Sequence, residues 1–332
     1  MRIFFDCGHF GERGASVATY DYAVGNEAIL GNTSLVAYDT TSPFNNPDAI
    51  RRFYGRFQIV PYAGKESFSI EVEKLKVDAA YQLVSGRRNK RALPMTAGRF
   101  PSVPHIVDMP FPNEDLRNSL GIPKSAVVVG RYGGYDQFDI EFVKRVISEV
   151  VDIRRDIFFI FMNTEPFKHN SAAGRIKFLP GSVEPLAKAN FIGACDYMIH
   201  ARLMGETFGL AIAEFLFQDR EVIAWRGGPD QNHVNLLGET RFLYRDSTDL
   251  KRILLELIPA RFDGSRRRLM SGFSPDAVMR CFESVFINGV QNTGQLNAID
   301  RHYLKLRKSV QGRWVKINQG RWLKRSFARD GS

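Results

Sequence analysis

The chain has 332 residues, 44% hydrophobic and 25% charged, which is ordinary for a globular protein and enough for two domains. Its net charge of +10 is concentrated at one end: residues 301–332 carry ten Lys/Arg against one acid, so the rest is nearly neutral and does not read as a surface that wraps nucleic acid. No run approaches the roughly 18 apolar residues of a membrane span, the N-terminal apolar run is too short for a signal peptide, and Cys7, Cys195 and Cys281 show no pairing or metal spacing, so reduced, buried thiols of a cytosolic protein are expected.

Residues 2–6 read as a strand, and 7–15 as a loop with Gly8, Gly11 and Gly14, before an amphipathic helix over 16–30. Strand, glycine loop, helix is how an α/β sheet begins. Glycines there let backbone approach a ligand, and a helix N-terminus favours an anion. The spacing is not G-x-G-x-x-G, so the dinucleotide fingerprint is not met, and plain loop glycines remain the equal alternative. Strands are expected at 33–39, 57–62, 79–84 and 103–108, helices at 46–53 and 66–75, and a basic loop at 85–94. Three prolines around one short helix in 110–126 read as a linker, with the domain boundary near residue 120.

The pattern then restarts. A buried strand from 126 enters a glycine loop, followed by a helix at 141–151 and strands at 156–162 and 175–180. A helix at 184–191, a strand at 196–200, a polar loop and a short helix over 208–216 come next. Strands at 221–225 and 241–246 and helices at 249–258 and 275–286 close this domain. Such alternation predicts a mostly parallel sheet with helices on both faces. Two such units joined by a linker predict a cleft, with ligands at the carboxyl ends of the strands. A last helix at 296–308 is expected to lie back across the first domain. Residues 311–318 and 319–326, QGRWVKIN and QGRWLKRS, duplicate an eight-residue unit that sets Trp314 and Trp322 among Lys/Arg. Such a tail suits an anionic lipid interface, suits nucleic acid by stacking, or is simply solvated.

Glu206 and Glu214 bracket the helix at 208–216 with seven residues between them. Two solvated acids are the plain reading. The alternative is a ligand site, because the first turn at Phe208, Gly209 and Leu210 offers N–H groups without intrahelical partners. His200 ends a strand at the cleft, as a ligand donor or a backbone-bonded histidine. His9 and His105 are weaker candidates near the cleft, and Asp230 reads as a turn residue.

The segment GETFGLAIAEFL resembles the E-x7-E signature of retaining glycosyltransferases of the GT-B fold, family-4 type. VVVGRYGG resembles that family's opening of the second domain, and RGGPDQNHVNLLGETRFLYRDSTDL its stretch after the glutamate helix. The resemblance covers residues 125–255. It implies an α/β chain of two Rossmann-like domains (GT-B) facing across a cleft. Residues 1–120 would be the acceptor side, 121–290 the nucleotide-sugar domain, and 291–332 a returning helix plus the basic tail. It implies transfer of a sugar from a nucleotide-diphosphate sugar to a hydroxyl of a glycan, lipid-linked glycan or glycoprotein, with retention. The other reading is a catalytically inactive GT-B-like binding module recruited by its basic tail.

Residue by residue, the resemblance implies that Glu206 contacts the donor sugar, helped by amides at Phe208, Gly209 and Leu210. Glu214 would bind the ribose, Arg131 the diphosphate, and the loop with Gly11 and Gly14 would line the cleft. Where the family has a lysine after that arginine, this chain has Asp136 and Gln137. The second cation would then be Arg202, or Arg13 or Arg87 from the facing domain, with His200 near the leaving group. No D-x-D triplet occurs, and neither metal nor cofactor is expected. The expected location is cytoplasmic, with peripheral contact to an anionic membrane through 301–332. Nucleic acid is not an expected partner.

Overall fold

Two all-parallel sheets carry the fold in the computed structural model, which describes residues 1–11, 14–64, 79–82, 103–169, 174–182 and 184–287. The expected helix at 66–75, the loop at 85–94 with Arg87, Arg13, the helix at 296–308 and the duplicated tail lie outside the described residues.

The first lobe contains β1 (Arg2–Gly8), α1 (Gly14–Ala28), β2 (Thr33–Asp39), α2 (Pro47–Tyr54), β3 (Gln58–Tyr62) and β4 (Ala79–Gln82), with strand order β3-β2-β1-β4. Phe4 aligns with Leu35 on one side and Ala80 on the other. Ile3, Phe4 and Phe5 are fully buried, the continuous apolar run of a parallel strand covered on both faces. The side chain of Asn46 accepts from the Asp48 and Ala49 N–H groups at 2.8 and 3.3 Å, and Pro47 opens α2 behind that cap.

After α3 (Leu116–Ser119), the second lobe contains β5 (Val127–Tyr132), α4 (Glu141–Ile153), β6 (Ile157–Met162), β7 (Ile176–Leu179), α5 (Pro185–Gly193) and β8 (Tyr197–His200). There follow β9 (Gly205–Glu206), α6 (Leu210–Phe217), β10 (Glu221–Trp225), β11 (Asp230–Gln231), α7 (Asn232–Leu237), β12 (Leu243–Tyr244), α8 (Ser247–Glu256), α9 (Ser265–Leu269) and α10 (Pro275–Phe282). The sheet order is β12-β10-β8-β5-β6-β7, and β9 pairs separately with β11. Side chains of successive strand residues alternate between faces. Val127, Val129 and Ile199 join the core under α4 and α8, whereas Val128, Met198 and Ala224 join the core under α5 and α6. Asp196 ties three distant segments together, accepting from Arg117 Nη2 at 2.8 Å, the Val128 N–H at 2.8 Å and the Ala260 N–H at 3.2 Å.

Three expectations need correction. Residues 103–108 are not a strand. They run extended, with the Val107 N–H donating to the Phe273 carbonyl at 2.8 Å, and among the described residues they pair with no strand. Val103, Ile106 and Val107 are nevertheless buried, which gives the apolar run of a strand without its ladder. The strand expected at 241–246 is only β12, because Asp246 leaves the sheet to cap α8, accepting from the Asp249 N–H at 2.9 Å. The helix expected at 275–286 to close the second domain is α10, followed by a π-helical turn (Glu283–Ile287), and it buries Val278, Met279 and Phe282 in the first-lobe core. A Cβ on Gly25 of α1 would stand 2.7 Å from Met279, so the glycine admits that helix. Cys7 and Cys195 are buried, Cys281 is half-buried, and none of the three is in a disulfide. No helix among the described residues is long and apolar enough to cross a membrane.

Candidate active site

The carboxyl ends of β5 and β8 and the N-terminal end of α6 face the β1–α1 loop across a cavity of about 1260 Å³. Gly11 and Gly14 line it from the first lobe, while Arg131, His200, Arg202, Glu206, Glu214 and the stretch 208–210 line it from the second. All the expected site residues therefore surround one space. His9 and His105 also line it. Asp230 does not, and it sits in β11 with its N–H on the Met204 carbonyl at 3.0 Å. Arg13 and Arg87, the other cation candidates, lie outside the described residues.

Glu206 is held from two sides. Its Oε2 accepts from Arg202 Nη1 at 2.7 Å, and Oε1 lies 3.4 Å from His200 Nε2. Burial raises the Glu206 carboxyl, but the neighbouring His200 ring and the Arg202 guanidinium outweigh it and hold the group below its usual range. Its own N–H donates to His233 Nδ1 at 3.2 Å, and His233 Nε2 reaches the Trp225 carbonyl at 2.8 Å. Nδ1 is thus the acceptor and Nε2 carries the proton. His233 is fully buried against the His200 ring, 4.6 Å between centroids, and burial with the His200 charge pushes it down to about 4. His233 therefore stays neutral and fixes the backbone on which Glu206 stands. The Tyr244 hydroxyl fixes the other side, donating to the His200 carbonyl at 2.7 Å.

The β9–β11 contact leaves no room for a side chain at residue 205. Gly205 has φ +71°, and a Cβ there would fall 2.0 Å from the Asp230 carbonyl oxygen. Gly209 caps α6 in the left-handed region, φ +91°, with no capping side chain over the first-turn N–H groups at the cavity.

Arg131 is 5% exposed and its donors are largely engaged. Nη1 donates to the Asn163 carbonyl at 3.2 Å and to Thr164 Oγ1 at 2.5 Å, and Nη2 donates to the Gly134 carbonyl at 2.8 Å. Arg131 thus ties the glycine loop after β5 to the end of β6. Burial pushes it down to about 10, against the charges of Glu206, Asp139 and Asp136. Arg202, 30% exposed at its side chain, is the more accessible cation.

Glu214 pairs with Lys188 of α5, Nζ to Oε1 at 3.0 Å, and its side chain is 12% exposed. Lys188, His233 and Asp21, which also lines the cavity, were not among the expected site residues. The histidine of GGPDQNH at the start of a helix was a readable signal. Lys188 had none, because its partner lies 26 positions away.

Comparison with known family models gives no match, and comparison with curated protein sequences gives none either. Solved structures do match. HepE of Anabaena in complex with UDP-glucose is similar at a TM-score of 0.62 and 13% identity, over 88% of this chain and 100% of that one. A glycosyltransferase from Rickettsia africae gives 0.63 and 10%, over 88% and 99%. Sucrose-phosphate synthase from Thermosynechococcus elongatus gives 0.59 and 14%, over 88% and 100%. At these identities the likeness shows the fold, and the chain has the GT-B fold of two Rossmann-like domains.

Proposed function

We propose that the protein is a family-4-like retaining glycosyltransferase. It moves a sugar from a nucleotide-diphosphate sugar to a hydroxyl of a glycan, lipid-linked glycan or glycoprotein, without a metal. The observation that carries this reading is Glu206, Glu214 and the open first turn of α6 on one wall of the interlobe cavity, in E-x7-E spacing. HepE, one of the similar structures, was solved with UDP-glucose, which supports a nucleotide-sugar donor.

Glu206, ionised and oriented by Arg202 and His233, accepts from the donor sugar's hydroxyls. Glu214 accepts from the ribose. As the bond to the anomeric carbon breaks, negative charge grows on the departing phosphate. Arg202 and the α6 N–H groups stabilise that charge, with His200 beside them, and Arg131 holds the loop beneath. The departing phosphate takes the acceptor's proton on the same face, so configuration is retained. The basic stretch 301–332 adds peripheral contact with an anionic membrane.

One observation favours the second reading, a catalytically inactive GT-B-like binding module: three Arg131 hydrogen bonds go to the protein itself. Incubation with a panel of nucleotide sugars separates the two. The transferase releases nucleoside diphosphate, in EDTA as well as without it, and Glu206→Ala loses on the order of 10²-fold or more of that release while keeping its fold. If no release occurs and no nucleoside diphosphate raises the melting temperature, the transferase reading fails.

A further inference from the structure

Glu214 is enclosed by charge from both lobes. Lys188 of α5 donates to its Oε1 at 3.0 Å, and the Lys188 ammonium lies 5.8 Å from the Tyr132 ring centroid. From the facing lobe, Asp21 of α1 acts electrostatically on both Glu214 and Lys188, and Arg52 and Asp108 act in turn on Asp21. The two helices approach closely here, since a Cβ on Gly14 of α1 would stand 3.1 Å from Leu210 of α6. One turn further along α6 lies Glu214, and two turns further along α1 lies Asp21.

A carboxyl so placed is poorly solvated and faces a like charge. Burial, with Asp21, pushes Glu214 up to about 8, and burial pushes Asp21 up to about 6. Burial and Asp21 both favour a proton on Glu214, and the Lys188 ammonium at 3.0 Å is the neighbouring charge that favours the carboxylate. A protonated carboxyl is itself a donor, with reduced acceptor capacity, whereas the vicinal diol of a ribose brings two donors. A carboxylate accepts both, and hydrogen bonds to a charged acceptor are the stronger kind. Lys188 occupies Oε1 from one side, which leaves Oε2 and the remaining lone pairs for hydroxyls.

We infer that Lys188 is a positioning residue that keeps Glu214 a carboxylate and so makes the site select ribonucleotides over 2′-deoxyribonucleotides. The inference rests on the proposed contact of Glu214 with the ribose.

Calorimetric titration of the full chain with UDP, GDP or ADP, whichever binds tightest, and with its 2′-deoxy counterpart tests it at about pH 7 and about pH 9. Wild type is expected to favour the ribonucleotide by about tenfold or more at both values. Lys188→Met loses the preference near pH 7 and recovers it near pH 9, where Glu214 ionises unaided, and Lys188→Arg keeps it throughout. Lys188→Gln gives the same readout if methionine lowers the melting temperature sharply. A wild-type preference retained in Lys188→Met near pH 7, or lost equally at both values, overturns the inference. Glu214→Gln tells the two failures apart: if it keeps the ribonucleotide preference, the ribose contact itself is wrong, and the inference falls with it.

Discussion

Gly14 of α1 meets Leu210 of α6 across the cleft, so closely that a methyl group on residue 14 would stand 3.1 Å from Leu210 Cδ1. That contact brings the two lobes together at the wall of the cavity. Gly14→Val inserts three carbons where one is already tight, and the backbone of α1 gains nothing from the change. The variant is expected to melt within a few degrees of wild type, because the wedge lies between lobes and not in either core. Release of nucleoside diphosphate should fall at least about tenfold, since a displacement of about 1 Å at the chemistry costs that much or more. Unchanged turnover would show that the lobes close along another line.

Arg131, expected at the diphosphate, lines the cavity and is also tied to Asn163, Thr164 and Gly134. Arg131→Lys keeps the charge but cannot make the three-way fork. It should destabilise the second lobe by about 1–3 kcal/mol, the range for orphaning a buried acceptor, as read by urea unfolding. A variant as stable as wild type but inactive would return Arg131 to the role of phosphate ligand.

His105 carries a pH dependence of known sign. It is buried, its ring packs on Phe208 at 4.6 Å, and burial pushes it down to about 4. The unfolded chain takes up a proton near pH 6.5 and the folded chain does not, so stability from His105 is complete above about pH 6.5 and is lost as pH falls towards 4. His105→Phe keeps the ring and removes the titration. Relative to wild type, the variant should gain up to about 1.4 kcal/mol per pH unit over that window. Parallel stability curves for the two proteins would refute this.

The basic stretch is tested by truncation after residue 308. Sedimentation with anionic vesicles should drop, and the wild-type binding should weaken with salt, because polybasic contacts contribute about 1 kcal/mol per cation and are screened. Binding that survives truncation would move the membrane contact elsewhere.

The second lobe was legible because its strands are buried on both faces. VVV and IFFIFM are continuous apolar runs of the kind a parallel strand between helices buries, and both strands appear within a residue or so of their expected bounds. The same logic misled at residues 103–108, where burial between lobes produces the same run without a ladder. At the site, the glutamate spacing is a local pattern and could be read. The Lys188–Glu214 pair and the contact of His233 with the Glu206 N–H join positions 26 and 27 residues apart, which no local pattern encodes. The β9–β11 pair is two residues long on each strand, too short for any alternation to register.

That small pair has a practical consequence for anyone re-engineering the cavity. With residue 205 pressed against the Asp230 carbonyl, a saturation library across 201–210 will return glycine there whatever the selection. The shape of the loop under Glu206 is inherited, not adjustable. Useful diversity is confined to side chains such as Thr207, which lines the cavity without bearing on the backbone contact beneath.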